Sequence, residues 1–481
     1  MRRPSLDAVR GFDTAVYVVA LGQLVNVFGS GLVYPFATIH FHLRVGVSLA
    51  VVGFGLGAKS VTTAAGTALG GLLADRVGRK PVMVGSMAGS AVTLSAFAFV
   101  GELATVVPAS LTTILGVSPV GVAFVAVAAV SGLTVGLYPP AAQAMVADLT
   151  GGERRDDAYA LLKLTNNVGF GAGFAVGGVL YSVASVAVFV GDGLTSGVVA
   201  VVLLAFVPGG TGATGGAGVT DSADATDSAD ATDSADATDS ADATDDADNT
   251  GETTAGESAT DSGATGTLAA WWAAVTEPRV VALAALNAGF AVLYAQMQMT
   301  VPVVAESQLG LSTGQVGTLY VLNPLTLVVL QLPLVDAVRE WRRTRGLVVS
   351  VGFWAVSMVA ALGADLGVTG FGLSTAAVGV VLVGGHLVLR TVGEVLHSPL
   401  VTALVSDLGE PGQRGTQLSL VEIAKRLGMG LGSFGGGLFF DAGLSTLLWP
   451  TLLVVCLLVA VGLLALERRL APAENGRGRE Q

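Results

Sequence analysis

Long apolar stretches separated by short polar segments form the main pattern of this chain. Each stretch is long enough to cross about 30 Å of hydrocarbon as an α-helix. Twelve of them follow the polar N-terminus, and we expect spans one to twelve at 13–38, 48–73, 81–102, 118–147, 157–183, 185–207, 279–304, 313–335, 346–366, 371–405, 415–440 and 445–467. The pattern therefore predicts an all-α integral membrane protein with twelve transmembrane helices.

One long polar stretch, residues 208–268, interrupts the apolar pattern between spans six and seven. It contains the sequence DSADAT four times between Asp221 and Thr244, and it offers no apolar face to bury. We expect a disordered acidic linker on the cytoplasmic side. The predicted domains are an N-terminal six-helix bundle at 1–207, the linker at 208–268, a C-terminal six-helix bundle at 269–470 and a cytoplasmic tail at 471–481.

The two halves of the chain resemble each other. Residues 138–182 align with residues 397–441 without a gap, and twelve of the 45 positions are identical. The identical positions include five glycines of span five: Gly169, Gly171, Gly173, Gly177 and Gly178. Six spans repeated as six spans predict two pseudo-symmetric bundles with a cavity between them, which can work as a monomer by alternating access.

The composition agrees with a membrane protein and excludes several other classes. Hydrophobic residues make up 52% of the chain, charged residues 12%, and the mean hydropathy is +0.71. The net charge of −12 comes from residues 208–268, which hold 14 acidic and no basic residues, so the remainder carries +2. Acidic bias with only four lysines is typical of a high-salt cytoplasm and indicates a haloarchaeal source.

The chain offers little for metal, nucleotide or nucleic-acid chemistry. One cysteine, Cys456, and four histidines exclude a disulfide framework and argue against a metal site. We find no basic patch with interleaved aromatic residues, no nucleotide-binding loop and no pairing of a nucleophile with a base. We therefore expect no cofactor, no nucleic-acid partner and no enzymatic activity.

Basic residues indicate the orientation in the bilayer. They concentrate in the loops and tails on the side of the N-terminus, and the opposite loops carry only Arg44. The positive-inside rule then predicts that both termini are cytoplasmic and that the protein is a multi-pass protein of the cell membrane.

The turn between spans two and three carries a specific motif. Residues 71–81 read GLLADRVGRKP. Its fixed positions are Gly71, Asp75, Arg76, Gly78, Arg79 and Lys80. The two glycines permit a tight turn and a close approach of helices. The segment resembles the signature of the major facilitator superfamily at every fixed position.

The resemblance to this superfamily implies its fold and its activity. It implies a transporter for a small molecule, in which the Asp and Arg of the motif hold an inner gate. Their expected contacts include the N-terminal end of span eleven, here residues 414–417. The internal repeat extends the expected gate to four further residues, which are Asp148, Arg155, Asp407 and Arg414.

Within the superfamily, the pattern resembles twelve-span multidrug-efflux proton antiporters. The similar segments are 138–149, 189–195 and 306–334. The glycines of span five have the spacing of an antiporter motif, although Phe174 stands where that motif has proline. Span four has Ser131 and Gly132 in the region where antiporters carry a buried arginine. The resemblance implies efflux of small amphipathic compounds coupled to protons.

Polar residues at membrane depth are the candidates for the proton and substrate cavity, because burying them in a bilayer is costly. They are Glu394, Arg390, Lys59, Asp192, His386, Gln296 and Asn323. Arg390 and Glu394 lie four residues apart on one helix face, so they can simply neutralise each other. Alternatively, Glu394 carries the coupling proton, and its protonation releases Arg390.

Two other functions remain open. The buried cations Lys59 and Arg390 favour an importer or exchanger of a small anionic metabolite. A membrane sensor or scaffold without transport activity would use the acidic linker to recruit a partner. The coupling ion is H⁺ or Na⁺.

Overall fold

The computed structural model describes residues 11–150, 152–207, 272, 274–367, 374–408 and 414–476, and of residues 152, 153, 156 and 414 only the backbone. The predicted acidic linker at 208–268 lies outside the described residues. Within those ranges the chain is helical and contains no strand. Twelve long helical segments follow one another: α1 Thr14–Arg44, α2 Leu49–Val77, α3 Arg79–Val106, α4 Pro119–Leu149, α5 Gly152–Val183, α6 Ala187–Phe206, α7 Pro278–Ser307, α8 Thr313–Val338, α9 Arg343–Asp365, α10 Thr375–Leu408, α11 Arg414–Asp441 and α12 Ser445–Glu467.

Several of these segments are not continuous α-helices. The interrupted ones divide as Thr14–Val33, Phe36–Thr38 and the π-helical Ile39–Arg44 in α1; Arg79–Ser95, Ala96–Phe99, Val100–Leu103 and Ala104–Val106 in α3; Pro119–Gly136 and Tyr138–Leu149 in α4; Pro278–Met299 and Val301–Ser307 in α7; and Thr313–Tyr320 and Leu322–Val338 in α8. Short helices also lie outside the spans, for example at Ala109–Leu115 and Ala473–Asn475. The all-α membrane fold predicted from the apolar pattern is confirmed.

Ten of the twelve segments are long and apolar enough to cross a membrane. The other two, α5 and α11, are 32 and 28 residues long and carry charged residues near their first turns. α5 starts at Gly152, five residues before the predicted start of span five, because its charged first turns continue the helix beyond the apolar stretch.

The repeated glycines of α5 and α11 bring each helix against its own bundle. Gly169 and Gly173 lie against the backbone of α1 at Leu24 and Phe28, so a side chain at either position would meet that backbone. The repeat equivalents in α11, Gly428 and Gly432, face the backbone of α7 at Ala288 and Val292. Small residues allow this close packing of helices. The repeat therefore preserves a helix contact in both bundles.

A second set of repeated glycines joins the two bundles. Gly171 and Gly178 of α5 face α8, the first against Pro324 and the second against the backbone at residues 313–317. Gly430 and Gly437 of α11 face α2, against Gly57 and Ala50. The α5–α8 and α2–α11 contacts are thus related by the internal repeat, which confirms two pseudo-symmetric bundles.

One end of the molecule is fastened by polar contacts between the bundles, and we call it the closed end. Asp441 accepts hydrogen bonds from the Ser48 hydroxyl at 2.5 Å and from the backbone amides of Leu49 at 2.9 Å and Ala50 at 2.8 Å. Two further contacts join α1 to α7: Thr38 Oγ1 donates to the Gln298 carbonyl at 2.8 Å, and Arg44 forms an ion pair with Glu306.

The opposite end, which holds the start of α1 and the end of α12, is the terminal end. Gly71 faces open space there, with no atom within 4 Å of where a side chain would begin. Leu72 and Val77 on the same part of α2 are 59% and 57% exposed. The expected close approach at Gly71 is therefore wrong for this conformation, and it occurs instead at Gly70, which meets Leu137 of α4. The terminal end is therefore open at this face of α2, which no other helix of the described ranges covers there.

The beginning of the predicted tail is docked onto the C-terminal bundle. Asn475 is buried and accepts a hydrogen bond from the backbone amide of Thr344 at 3.0 Å. Its neighbour Glu474 pairs with Arg279 at 2.9 Å. The bundle therefore continues past the predicted boundary at residue 470.

Candidate functional site

An ion pair lies in the middle of α10. Arg390 Nη2 is 3.0 Å from Glu394 Oε2, one helical turn along the same face. The guanidinium group is enclosed, since its side chain is 3% exposed, whereas the Glu394 side chain is 26% exposed. The carboxylate therefore borders open space while its partner is held within the bundle.

Aromatic side chains of the C-terminal bundle hold Arg390 in place. Its guanidinium carbon lies 5.1 Å from the ring centre of Tyr294 and 5.0 Å from that of Trp354, within the range of cation–π attraction. Nη1 also contacts the sulfur of Met297 at 2.7 Å. Sequence reasoning did not single out these three residues, because their spacing resembles that of an ordinary helix core.

The N-terminal bundle faces this ion pair with Tyr34. The phenol of this α1 residue lies within electrostatic range of both Arg390 and Glu394. Its ring packs against Phe174 of α5 at 5.9 Å between centroids, and Phe174 in turn packs against Tyr320 of α8 at 5.8 Å. The ion pair therefore lies where the two bundles meet.

Two polar candidates are packed close to this pair. His386 is 1% exposed, and its Nδ1 is 2.9 Å from the Ser357 carbonyl, while Nε2 has no hydrogen-bond partner among the described residues. Asn323 of α8 donates to Thr391 Oγ1 of α10 at 2.8 Å. Both side chains therefore connect α10 to its neighbours, α9 and α8.

Gln296 does not line the cavity. It is 0% exposed, donates to the Val292 and Gly432 carbonyls at 3.0 Å each, and accepts from Thr300 Oγ1 at 3.0 Å. These bonds fasten α7 to α11. The expected cavity role is corrected, because the amide is enclosed and satisfied by its own bundle.

The N-terminal bundle contains a second set of opposite charges, Lys59 on α2 and Asp192 on α6. Asp192 is 3% exposed, and its Oδ1 has no hydrogen-bond partner among the described residues. The Lys59 ammonium group lies 5.8 Å from the ring centre of Phe97 and within electrostatic range of Asp192. No ion pair within 4.0 Å joins the two among the described side chains.

The signature motif holds α3 within its own bundle at the terminal end. Arg79 Nε is 3.0 Å from Asp148 Oδ2, and Lys80 Nζ donates to the Val207 carbonyl at 2.6 Å. Gly78 has a φ of +101°, which allows the sharp turn between α2 and α3. The turn thereby positions two cations against the ends of α4 and α6.

The expected contact between this motif and the start of α11 is absent among the described residues. Asp75 and Arg76 are exposed, and neither has an ion-pair partner within 4.0 Å in the described ranges. The reason is the open terminal end, which leaves that face of α2 uncovered.

The second bundle repeats the Arg79–Asp148 contact. Arg343, the first residue of α9, pairs with Asp407 near the end of α10. The expected gate residues of the repeat were Asp148, Arg155, Asp407 and Arg414. Arg155 instead donates to the Ala147 carbonyl at 3.5 Å, and the side chain of residue 414 lies outside the described residues. The first residue of the third helix in each bundle is the partner that the sequence did not identify.

Comparison with known proteins identifies the family. Residues 19–388 match the family model of the Major Facilitator Superfamily. The uncharacterized MFS-type transporter YttB of Bacillus subtilis is 24% identical over 96% of this chain and 97% of its own. A Na⁺, Li⁺, K⁺/H⁺ antiporter of Planococcus maritimus is 30% identical over 36% of this chain and 37% of its own, and the multidrug resistance protein MdtH of Edwardsiella ictaluri is 30% identical over 34% and 36%.

Solved structures show the same fold. The nucleoside transporter NupG superimposes with a TM-score of 0.67 at 9% identity, covering 95% of this chain and all of its own. The peptide transporter POT in complex with sulfate gives 0.66 at 16% identity, covering 97% of both chains. By fold and by sequence, this chain belongs to the Major Facilitator Superfamily, and it is a multi-pass membrane transporter rather than an enzyme.

Proposed function

We propose that this transporter exports small amphipathic compounds in exchange for protons, by alternating access. The observation that carries the proposal is the Arg390–Glu394 pair, which lies where the bundles meet and whose carboxylate borders open space. A carboxylate at membrane depth that can reach water is suited to bind and release a proton. The multidrug and antiporter names of two partial relatives support this substrate class and this coupling.

The proposed orientation places the terminal end in the cytoplasm. The basic motif and both described chain ends lie there, as the positive-inside rule favours. The conformation is then inward-facing, in a cell (plasma) membrane, with the closed end toward the outside. The acidic composition supports a salt-loving host, in which Na⁺ is the second candidate for the coupling ion.

The geometry suggests how a proton and a substrate exclude each other. When Glu394 is ionised, it neutralises Arg390 and leaves a compact ion pair facing Tyr34. When Glu394 is protonated, Arg390 keeps its place between Tyr294 and Trp354, because the aromatic contacts do not depend on the carboxylate. Protonation of Glu394 thus changes the net charge of the pair from zero to +1, while Arg390 stays in place. A proton taken up on the outside would favour substrate release there, and its loss to the cytoplasm would restore the binding state.

The test is proton movement in everted vesicles that hold a proton gradient. Vesicles with the wild-type protein, Glu394→Gln or Glu102→Gln would be screened with cationic dyes and anionic metabolites. Glu102 is a matched control, since it is exposed near the closed end of α3. We expect substrate-dependent proton release in the wild type and in Glu102→Gln, and its loss in Glu394→Gln. Wild-type flux and pH dependence in Glu394→Gln would contradict the proposed role of this carboxyl group.

A second candidate is import or exchange of a small anionic metabolite. Two cations at membrane depth, Lys59 and Arg390, favour it. To discriminate between the candidates, uptake of cationic and anionic compounds would be compared in proteoliposomes that contain the wild-type protein or Lys59→Gln. An importer of anions would prefer anionic substrates and lose them in this variant. The same assay with a Na⁺ gradient and no proton gradient separates the two coupling ions.

A third candidate is a scaffold without transport activity. Replacing the acidic linker would distinguish it from a transporter. Residues 208–268 would be replaced by a short glycine-serine linker. A transporter should retain its flux, because the ion pairs and bundle contacts described above are formed by residues outside that segment. A scaffold would lose its cellular effect.

A further inference from the structure

Lys59 and Asp192 are the two charged residues within the membrane-spanning part of the N-terminal bundle. The sequence has no Asp, Glu, Lys or Arg at 14–39 of α1, 81–101 of α3, 119–147 of α4 or 164–183 of α5. The bundle therefore holds one cation and one anion at depth, as α10 does with Arg390 and Glu394. The arrangements differ, because the pair of α10 is closed at 3.0 Å, whereas no ion pair within 4.0 Å joins Lys59 to Asp192 among the described side chains.

The surroundings of Asp192 offer its carboxyl group little hydrogen bonding. Gly29 of α1 lies directly against it, since a side chain there would begin 2.8 Å from Oδ1. Two hydroxyls on the next turn of α6 have other acceptors: Thr195 donates to the Asp192 backbone carbonyl at 2.8 Å, and Ser196 donates to Asn26 Oδ1 at 3.3 Å. An enclosed carboxylate without donors must be neutralised, either by a cation or by a proton.

Lys59 is the cation positioned for this task. Its ammonium group lies under the aromatic ring of Phe97, within electrostatic range of Asp192. Other titratable groups near this part of α6 include His40 of α1, whose ring lies 5.0 Å from that of Phe189, and Tyr181 of α5, which lies 3.3 Å from His40. Lys80 lies at the far end of α6, where it donates to the Val207 carbonyl. The part of α3 that faces Gly193 presents the hydroxyl of Ser95. Lys59 therefore supplies the positive charge among these neighbours.

We propose that Asp192 is a second proton-binding group, located in the N-terminal bundle, with Lys59 as its counter-charge. When Asp192 is ionised, the Lys59 ammonium group balances it. When a proton binds Asp192 Oδ1 and forms an O–H bond, Lys59 is released toward the cavity. The proton comes from water on one side and leaves to water on the other. This proposal rests on the proposed function, and it implies that each bundle contributes one carboxyl–cation pair, so that a cycle moves about two protons.

The direct test needs no substrate. Infrared difference spectra between acidic and alkaline buffer would be recorded for the purified, lipid-reconstituted protein. The carbonyl stretch of a protonated carboxyl group is the signal. We expect one such band to disappear in Asp192→Asn and to persist in Glu394→Gln. Glu102→Gln, which changes an exposed acid of the same bundle, should leave that band unchanged. An Asp192→Asn spectrum identical to the wild type overturns the proposal.

A second measurement links this group to transport. The number of protons moved per substrate would be determined in proteoliposomes for the wild type and Asp192→Asn. We expect a fall from about two to about one with substrate binding retained. An unchanged ratio overturns the coupling role. If the wild type moves no protons with any substrate, the proposed function fails, while the infrared band still reports on Asp192. Asp192→Glu, which keeps the carboxyl group, should restore the band if Asp192→Asn folds poorly.

Discussion

Arg390 is kept at membrane depth by three different kinds of contact. Glu394 neutralises its charge, Tyr294 and Trp354 lie within cation–π range of its guanidinium carbon, and Met297 contacts one of its nitrogens. A buried cation without its partner is costly, whereas a pair replaced by apolar residues can be neutral or stabilising. The aromatic contacts position the cation, and the carboxylate sets the charge of the site.

The ion pair therefore predicts that a single substitution lowers the free energy of unfolding more than a double substitution does. Glu394→Leu leaves Arg390 enclosed and unpaired, and we expect it to lower the free energy of unfolding by about 3 kcal/mol. Arg390→Leu combined with Glu394→Leu should recover most of that loss, because no charge remains. Thermal unfolding of the purified variants in one detergent measures both. A double variant no more stable than Glu394→Leu would mean that the aromatic contacts of Arg390, and not the ion pair, dominate.

Asp441 of α11 caps the start of a helix in the opposite bundle. It accepts three hydrogen bonds at the start of α2, and charge-assisted bonds of this kind are stronger than neutral ones. Asp441→Asn should weaken the cap by about 1 kcal/mol, which shifts the ratio of closed to open molecules about fivefold.

Spin labels at residues 46 and 443 in a Cys456→Ala background would report this shift as a distance distribution across the closed end. Ser182→Ala is the control, since Ser182 is the repeat equivalent of Asp441 and bonds only to its own helix at the Val179 carbonyl among the described residues. Equal distance distributions in Asp441→Asn and the wild type would contradict a role of Asp441 in holding the closed end shut.

At the scale of helices, α5 and α11 each pack against a helix of the opposite bundle through glycines. Each uses one row of glycines toward its own bundle and another toward its partner. These rows could be recognised in the sequence, because the repeat preserves them at a constant offset. The fold and the glycine positions were predictable, since both depend on spacing along the chain.

The partners of individual charges were not predictable in the same way. Asp407 pairs with Arg343 and Asp148 with Arg79, because the rotation of each helix about its axis decides which side chains meet. Sequence spacing does not encode that rotation. The aromatic residues around Arg390 were missed for the same reason, since on a helix they have the spacing of an ordinary core.

The glycine contact between α2 and α11 yields a prediction at this scale. Gly437 lies against the backbone of Ala50, so Gly437→Val should keep the closed end from closing and reduce transport at least tenfold. Gly435 lies two residues away with no atom within 4 Å of where a side chain would begin, and Gly435→Val should behave like the wild type. Transport rates and the 46–443 label distance measure both variants. Equal loss in the two would indicate a general effect of valine on α11.

For the whole molecule, the open terminal end predicts which surfaces water reaches. In a Cys456→Ala background, Gly71→Cys should react with a membrane-impermeant maleimide in everted vesicles. Glu102→Cys, near the closed end, should react only in right-side-out cells. Conditions that drive turnover should slow labelling of Gly71→Cys, because this face of α2 approaches α11 when the terminal end closes. Labelling of both positions from one side would contradict the proposed orientation.

The Asp441 cap also means that the two related contacts between the bundles are unequal. The start of α2 is capped by its own Ser48 and also by an acid from the other bundle, whereas the start of α8 is capped by its own Ser312 and Gln315. The repeat places Ser182 where the second acid would stand. The α2–α11 contact is therefore held by hydrogen bonds as well as packing, whereas the α5–α8 contact is described by packing of small residues. Although the two bundles are similar, we expect them to rotate unequally when the closed end opens. The bundles should then pivot at the α5–α8 contact and separate at the α2–α11 contact.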